Sequence, residues 1–548
     1  MNVQIRGARV GAVAILLGAA VVAFGAEDDW ESRRAALRDR ARPLILNSDG
    51  NELVYYPTNA PISFEGFVSR RLASYRGTKV STVSYCPWSS GFGMLTTTRA
   101  GELFDRPIDL VRGCTNATCR FAAAGLDCLD MTSRFCRTNG LEVFVSLRMN
   151  DTHDVSYLRP GTNPPRSWLF PKWKAEHPEC LFGTDAKGGR PPHGAWTAVD
   201  FENPETRAYM KRFVRDLVRN YDVDGIEYDF MRHGAILKSV GWGAEATDAQ
   251  CAMMTGFMRE LREITEAAGR EKGRPLLVLV RTADSVGYAR ATGIDVEAWM
   301  KAGVLDIWSV SDYFQLDYLK PNAELAHRYG VKFVSALAES RIERYLKSQN
   351  TPPRLLPGRN SIVSFAAEYA AAQAAGCDGV ESFNLSCILW ALDAAKLLQV
   401  DPRRTEGMDK TYFALVRGTG GYRPGSWLRD GDRFYRRPRI DPGRRFAIPT
   451  GEAYVFGMEL GDDPSDGGRA TVRALFESAG SAIRTLAVNG REIAPASVRD
   501  GLHVYELPAD CWHRGYNEFS VTPDPRVGKR AVFNDFSLAV TYGRKEGK

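Results

Sequence analysis

Between about residues 40 and 400 the chain alternates short β-rich runs with longer helical patterns, and it completes that cycle eight times. The runs fall at Arg42–Asn47, Lys79–Tyr85, Leu141–Leu147, Val223–Phe230, Leu276–Arg281, Val304–Val310, Val331–Leu337 and Gly379–Asn384. Between them lie helical stretches such as Pro204–Asn220. Another is the segment whose Met254, Phe257, Leu261 and Ile264 recur every three or four residues. Eight strand–helix units in one domain predict an α/β fold, a (β/α)8 TIM barrel. A doubly wound open sheet is the competitor. It carries a glycine-rich phosphate loop after its first strand, and Asn47-Ser48-Asp49-Gly50 is not one.

The pattern changes after residue 402. Residues 403–444 are rich in Arg, Gly and Pro and read as a linker. Residues 445–548 hold short alternating runs separated by turn signals such as Asn489-Gly490, which predicts an antiparallel β-sandwich. Three stretches, Leu486 to Gly490, Tyr505 to Pro508 and Gly515 to Phe519, resemble the galactose-binding-like accessory sandwiches of carbohydrate enzymes. A packing domain with no ligand is the alternative.

At the other end, Arg6 and Arg9 precede an apolar, small-residue stretch from Val10 to Phe24, followed by Glu27-Asp28-Asp29. That is the pattern of a signal peptide over residues 1–26, which predicts a secreted or periplasmic protein. An uncleaved anchor is the alternative. No other stretch approaches the length of a membrane span, so no stable membrane insertion is expected once the signal is cut. The net charge of +6 arises from scattered residues rather than runs, which argues against a nucleic-acid partner. Of the ten cysteines, Cys114 and Cys119 are spaced to close a small disulfide loop, whereas Cys128 and Cys136 read as buried helix-face thiols. No cysteine or histidine spacing matches a zinc site, so neither metal nor cofactor is expected.

A barrel places its reactive groups at the C-terminal ends of its strands. The fourth run ends Glu227-Tyr228-Asp229-Phe230-Met231-Arg232-His233. Glu227 and Asp229 share one face, and Ile226, Tyr228 and Phe230 share the other, so both acids are expected to point inward. Two carboxyls that close favour one raised pKa and hence a proton donor. A structural role, with one acid pairing Arg232 or Arg148, is the alternative. The third run continues into Arg148-Met149-Asn150-Asp151-Thr152-His153, which offers substrate ligands at Arg148, Asn150, Asp151 and His153. The long insertion after it, to Asn203, carries Trp168, Trp173 and Trp196, flat side chains suited to sugar rings. Other rim candidates are Asp49, Arg281, Asp312, Glu339, Glu381 and Asn384.

Val223-Asp224-Gly225-Ile226-Glu227-Tyr228-Asp229 resembles the fourth-strand signature of the glycosyl-hydrolase-like family called family-10-like, or DUF187-related. Gly140 to Val145, Val304-Leu305-Asp306-Ile307-Trp308 and Gly376-Cys377-Asp378-Gly379-Val380 fit the same family in order. The resemblance implies a secreted glycosidase barrel over residues 40–402 with Asp229 as the strand-four acid. It does not extend to Arg148-Met149-Asn150-Asp151 or Met231-Arg232-His233. On this reading Asp229 and Glu227, with Asp312 or Glu339 opposite, cleave a glycosidic bond of a poly- or oligosaccharide by a two-carboxylate mechanism. Arg148, Arg232, His233 and Arg281 near the mouth point to an anionic glycan. The rivals are a non-catalytic glycan-binding protein and a metal-dependent hydrolase using Asp151, His153 and His233.

Overall fold

The computed structural model describes residues 29–543 apart from 91–92, 95, 97–99, 107–110, 156–168, 311–312, 338–353, 360, 384–395, 415–421, 438–439, 441–445 and 478–481. Eight parallel strands close into a barrel: β1 (Leu44–Asp49), β2 (Thr82–Cys86), β3 (Glu142–Arg148), β4 (Gly225–Asp229), β5 (Leu277–Thr282), β6 (Ile307–Val310), β7 (Lys332–Ala336) and β8 (Gly379–Phe383). Each pairs with its sequence neighbour, and β1 pairs with β8 to close the ring. This is a TIM barrel.

Several helices of the outer ring start where the sequence supplies a cap. Asn203 accepts from the Glu205 N–H at the start of α3 (Pro204–Asn220), behind α1 (Phe64–Arg70) and α2 (Cys128–Thr138) in chain order. Thr247 and Gln250 form a reciprocal capping box on α4 (Asp248–Glu271), which turns Met254, Phe257, Met258 and Leu261 onto the barrel. The helical stretch around residues 120–138 is two helices rather than one. Gly125, in the left-handed region at φ 69°, breaks it, and Asp127 caps α2.

Inside the barrel the side chains lie in layers. The N-terminal end is apolar: Ile45, Phe144, Leu277, Leu279, Ile307 and Val334 form one buried cluster. Gly225 is the glycine that makes this layer fit, because a Cβ there would lie 2.5 Å from the Leu277 carbonyl and 2.9 Å from the Phe144 ring. The N-terminal ends of the strands are latched by aspartates. Asp224 accepts from the Val143 N–H at 2.9 Å, Asp306 from Val278 at 2.8 Å and Asp378 from Phe333 at 2.9 Å, so each carboxylate locks the neighbouring strand in register.

The C-terminal region forms two antiparallel sheets. One holds β9 (Lys410–Phe413), β10 (Phe446–Pro449), β12 (Arg469–Phe476), β15 (Ser497–Arg499), β16 (Leu502–Leu507) and β18 (Arg530–Thr541). The other holds β11 (Tyr454–Leu460), β13 (Ile483–Val488), β14 (Arg491–Ile493) and β17 (Gly515–Pro523). Their inward faces share one core that includes Phe456, Phe519, Phe533 and Phe536. Strand β9 lies inside the stretch read as a linker, and so does Trp427, which packs into the barrel core. The alanine-rich helix α7 (Ile362–Ala374), which follows α5 (Val296–Lys301) and α6 (Leu319–Arg328), is apolar on both sides because both are covered. Phe365 belongs to the barrel core and Ala367 to the sandwich core.

Cys114 and Cys119 are both free thiols, contrary to the spacing argument. Cys114 is held in a two-residue strand against Pro57, and Cys119 sits exposed in the first turn of the Thr118–Ala123 helix. Cys128 and Cys136 are buried on α2. Among the described residues no helix is long and apolar enough to cross a membrane.

Candidate active site

Above the apolar layer the barrel interior turns polar. Asn47, Ser84, Ser146, Glu227, Arg281, Ser309 and Glu381 all lie here, fully or almost fully buried. Strand β4 does what its alternation demands. Ile226, Tyr228 and Phe230 face the helices, with Tyr228 Oη 3.4 Å from Thr265 Oγ1 on α4 and the Phe230 ring 5.5 Å from that of Trp299 on α5. Glu227 and Asp229 face inward.

The two acids have different surroundings. Glu227 has no exposed surface and accepts from Asn47 Nδ2 at 2.9 and 3.0 Å and from the Ser84 hydroxyl. Burial, and then the neighbouring Glu381, raise its carboxyl well above the ordinary range against the pull of Arg281. Glu227 lies on a level below the strand ends. Asp229, at the end of β4, forms a two-point ion pair with Arg281, Nη2 to Oδ2 at 3.0 Å and Nε to Oδ1 at 3.2 Å. Its Oδ1 also accepts from the Met231 N–H at 2.8 Å, which fixes the turn leading to Arg232. Arg281 stacks on Phe383, 3.7 Å from the ring centre, and comes within 4.0 Å of both Glu227 and Glu381. Glu381 in turn accepts from Ser309. One guanidinium thus holds three carboxyl groups inside the barrel.

A second cluster lies at the ends of β1 and β3. Arg148 donates to Asp49 and, at 2.6 Å, to Asp151. Asp151 also meets His153 Nδ1 at 2.6 Å. Burial acts to raise the Asp151 carboxyl, but His153 and Arg148 together hold it well below its usual range. His153 Nε2 faces Arg232 Nη2 at 3.2 Å. Arg232 itself is 6% exposed and packs near Phe383 (5.2 Å) and Tyr313 (5.9 Å). Its Nε and Nη1 are buried and have no hydrogen-bond acceptor among the described residues.

Two candidates are occupied by the backbone. Asn150 donates to the Val199 and Ala235 carbonyls and accepts from the Val199 N–H, so its amide ties the long insertion to the loop after β4. His233 accepts from the Ala195 N–H at 3.0 Å and meets the Ala235 carbonyl at 2.8 Å. Burial lowers it to about 4, so it is neutral at ordinary pH. His233 does not join Asp151 and His153 in a ligand cluster. In the insertion, Trp196 stacks on Phe170 at 5.7 Å, and Trp173 stacks on Tyr209 of α3 at 4.1 Å as part of the core. Asp312, Glu339, Asn384 and Trp168 lie outside the described residues.

The mouth also contains residues that the sequence did not single out. Ser84 and Ser309 alternate with apolar neighbours on their strands, and that alternation was the available signal, whereas Asn47 opens the polar run Asn47-Ser48-Asp49. Trp427 and Tyr422 had none. They come from the presumed linker and join Tyr313 in an aromatic group, with ring centres 5.2 Å apart for Tyr313–Tyr422 and 6.0 Å for Tyr313–Trp427.

No family model matches the chain, and no curated protein does. Solved structures resemble it distantly. The maltogenic α-amylase AmyB of Thermotoga neapolitana is 13% identical at TM-score 0.34, over 87% of this chain and 98% of that one. The glycoside hydrolase domain of PgaB (BpsB) from Bordetella bronchiseptica is 12% identical at 0.39, over 66% and 99%. A family GH18 chitinase of Chromobacterium violaceum is 10% identical at 0.33, over 88% of both chains. The likeness to these glycoside hydrolase barrels is distant and one of fold; no specific family is identified.

Proposed function

We propose that the protein is an exported glycoside hydrolase acting on a poly- or oligosaccharide, with Asp229 as its strand-four acid. The observation that carries this reading is the polarity of the barrel mouth: Asp229 sits at a strand end, clamped by Arg281 above Glu227, whose carboxyl is raised by burial. Glycoside cleavage needs a second carboxyl across the bond. Asp312 and Glu339, which follow β6 and β7 in sequence, are the candidates. Glu227 acts through Arg281 rather than on the sugar, because it lies a layer deeper than Asp229 and its carboxyl is taken by Asn47 and Ser84.

The substrate class follows from the arginines. Arg148 already serves Asp49 and Asp151, and Arg281 serves Asp229. Among the described residues, Arg232 has N–H groups without acceptors beside the same mouth. A guanidinium in that state favours a sugar that carries a carboxylate or a sulfate ester. A glycan-release assay across neutral, uronic and sulfated substrates, with wild type and Asp229→Asn, tests both parts. Release that the substitution abolishes supports the enzyme, and preference for a charged glycan supports the role of Arg232.

One observation favours a second reading, glycan binding without cleavage. Glu227 and Asp229 are 0% and 1% exposed and fully engaged. On that reading the wild type binds glycan and releases nothing.

A further inference from the structure

The insertion between β3 and β4 brings together three side chains that no spacing rule joins. After the short Lys172–Glu176 helix, the chain makes a tight turn at Pro178–Cys180. There His177 Nδ1 lies 3.1 Å from Glu179 Oε1, and Cys180 Sγ lies 4.0 Å from the same oxygen. One donor atom from each of the three falls within 4.8 Å of the other two. Tetrahedral zinc, with bonds of about 2.0–2.3 Å, sets N···O and S···O separations of roughly 3.4 and 3.6 Å. The existing spacings approach those values, and the exposed Glu179 side chain is free to close the difference.

The surroundings suit a cation. Cys180 is buried at the floor, whereas His177 and Glu179 reach the surface, so a metal there keeps an open side for water. Asp200 and Glu205, as well as Glu179, place negative charge near the sulfur. Thr206, in the first turn of α3, is completely buried, and its hydroxyl has no oxygen or nitrogen partner among the described residues. That hydroxyl lies beside the Cys180 sulfur. The ring of His177 is oriented by Trp173, 5.0 Å away, which is itself stacked on Tyr209. The backbone is fixed as well, since the Asp200 N–H donates to the Cys180 carbonyl at 2.8 Å.

We propose that His177, Glu179 and Cys180 form a zinc-type divalent cation site. Binding replaces the thiol proton, which leaves to solvent, with a metal–thiolate bond; the imidazole and the carboxylate supply two further ligands and water a fourth. The site is remote in chemistry from the carboxylates of the barrel and pins the turn from which the insertion returns toward β4.

Cobalt is the probe, because cobalt–thiolate bonds absorb in the near ultraviolet. The reduced, metal-free full chain is titrated with Co2+, then with Zn2+ against a chromophoric chelator. Wild type and Cys119→Ser, which removes an exposed thiol elsewhere, should show the thiolate band. Cys180→Ser should abolish it. Glu179→Gln, at an exposed position that folding tolerates, should weaken Zn2+ binding at least tenfold. Absence of the band in wild type, its survival in Cys180→Ser, or equal Zn2+ affinity in Glu179→Gln would overturn the proposal.

Discussion

Asp229 and Arg281 occupy paired positions on β4 and β5, and two contacts at 3.0 and 3.2 Å join them inside the barrel. Arg281 also lies 4.0 Å from Glu227 and from Glu381, so its loss removes a positive charge beside several buried acids at once. Arg281→Met should therefore cost about 3–5 kcal/mol, the usual range for breaking a buried ion pair from one side. Asp229→Asn should cost less, since Arg281 keeps two other acids. Urea unfolding of both variants checks the order, and equal losses would contradict it.

Arg148 and Arg232 should separate cleanly. Arg148→Ala leaves Asp151 buried without its guanidinium and should lower stability, with activity on every substrate falling alongside. Arg232→Gln should lower kcat/KM at least tenfold on a uronic or sulfated glycan and leave a neutral glycan within about twofold, since a charge-assisted contact contributes about 1.5–3 kcal/mol. Steady-state kinetics on matched substrates read the difference.

Asp284 gives a pH dependence with a definite sign. It is buried beyond the end of β5, and burial pushes its carboxyl up to about 7 despite hydrogen bonds from the Leu316 and Asp317 N–H groups. A carboxyl raised on folding lends stability that is complete below its unfolded value of 3.8 and is lost as pH climbs to about 7. Relative to Asp284→Asn, wild type should lose about 2 kcal/mol of unfolding free energy between pH 5 and 7.5, at about 1.4 kcal/mol per pKa unit. Urea melts at the two pH values measure it, and a gain with rising pH would contradict the assignment.

Gly225→Ala should destabilise the barrel by roughly 1–3 kcal/mol through overpacking against Phe144 and the Leu277 carbonyl. Pairing it with Phe144→Leu should recover only part, because the carbonyl cannot withdraw. Thermal melts of the single and double variants decide.

The barrel was legible because strand alternation and helix periodicity are local, and each of the eight units repeats them. Three short motifs owe their form to the barrel itself. Their shared aspartates, Asp224, Asp306 and Asp378, latch neighbouring strands at the N-terminal end, where barrel geometry admits little variation. The site was less legible because it depends on which charges meet. Arg148 and Asp49 are 99 residues apart, and nothing local says that they pair while Arg232 has N–H groups with no acceptor among the described residues. Asn150 and His233 have the residue types of a site, yet the backbone consumes both. Trp427 was hidden for the opposite reason, since a stretch rich in Arg, Gly and Pro gives no sign of core packing.

The central claim is most directly tested by counting reducing ends released from a uronic, a sulfated and a neutral glycan by wild type, Asp229→Asn and Arg232→Gln. The account predicts release by wild type, loss of release on all three in Asp229→Asn, and selective loss on the charged glycans in Arg232→Gln. Undiminished release by a folded Asp229→Asn variant would contradict it.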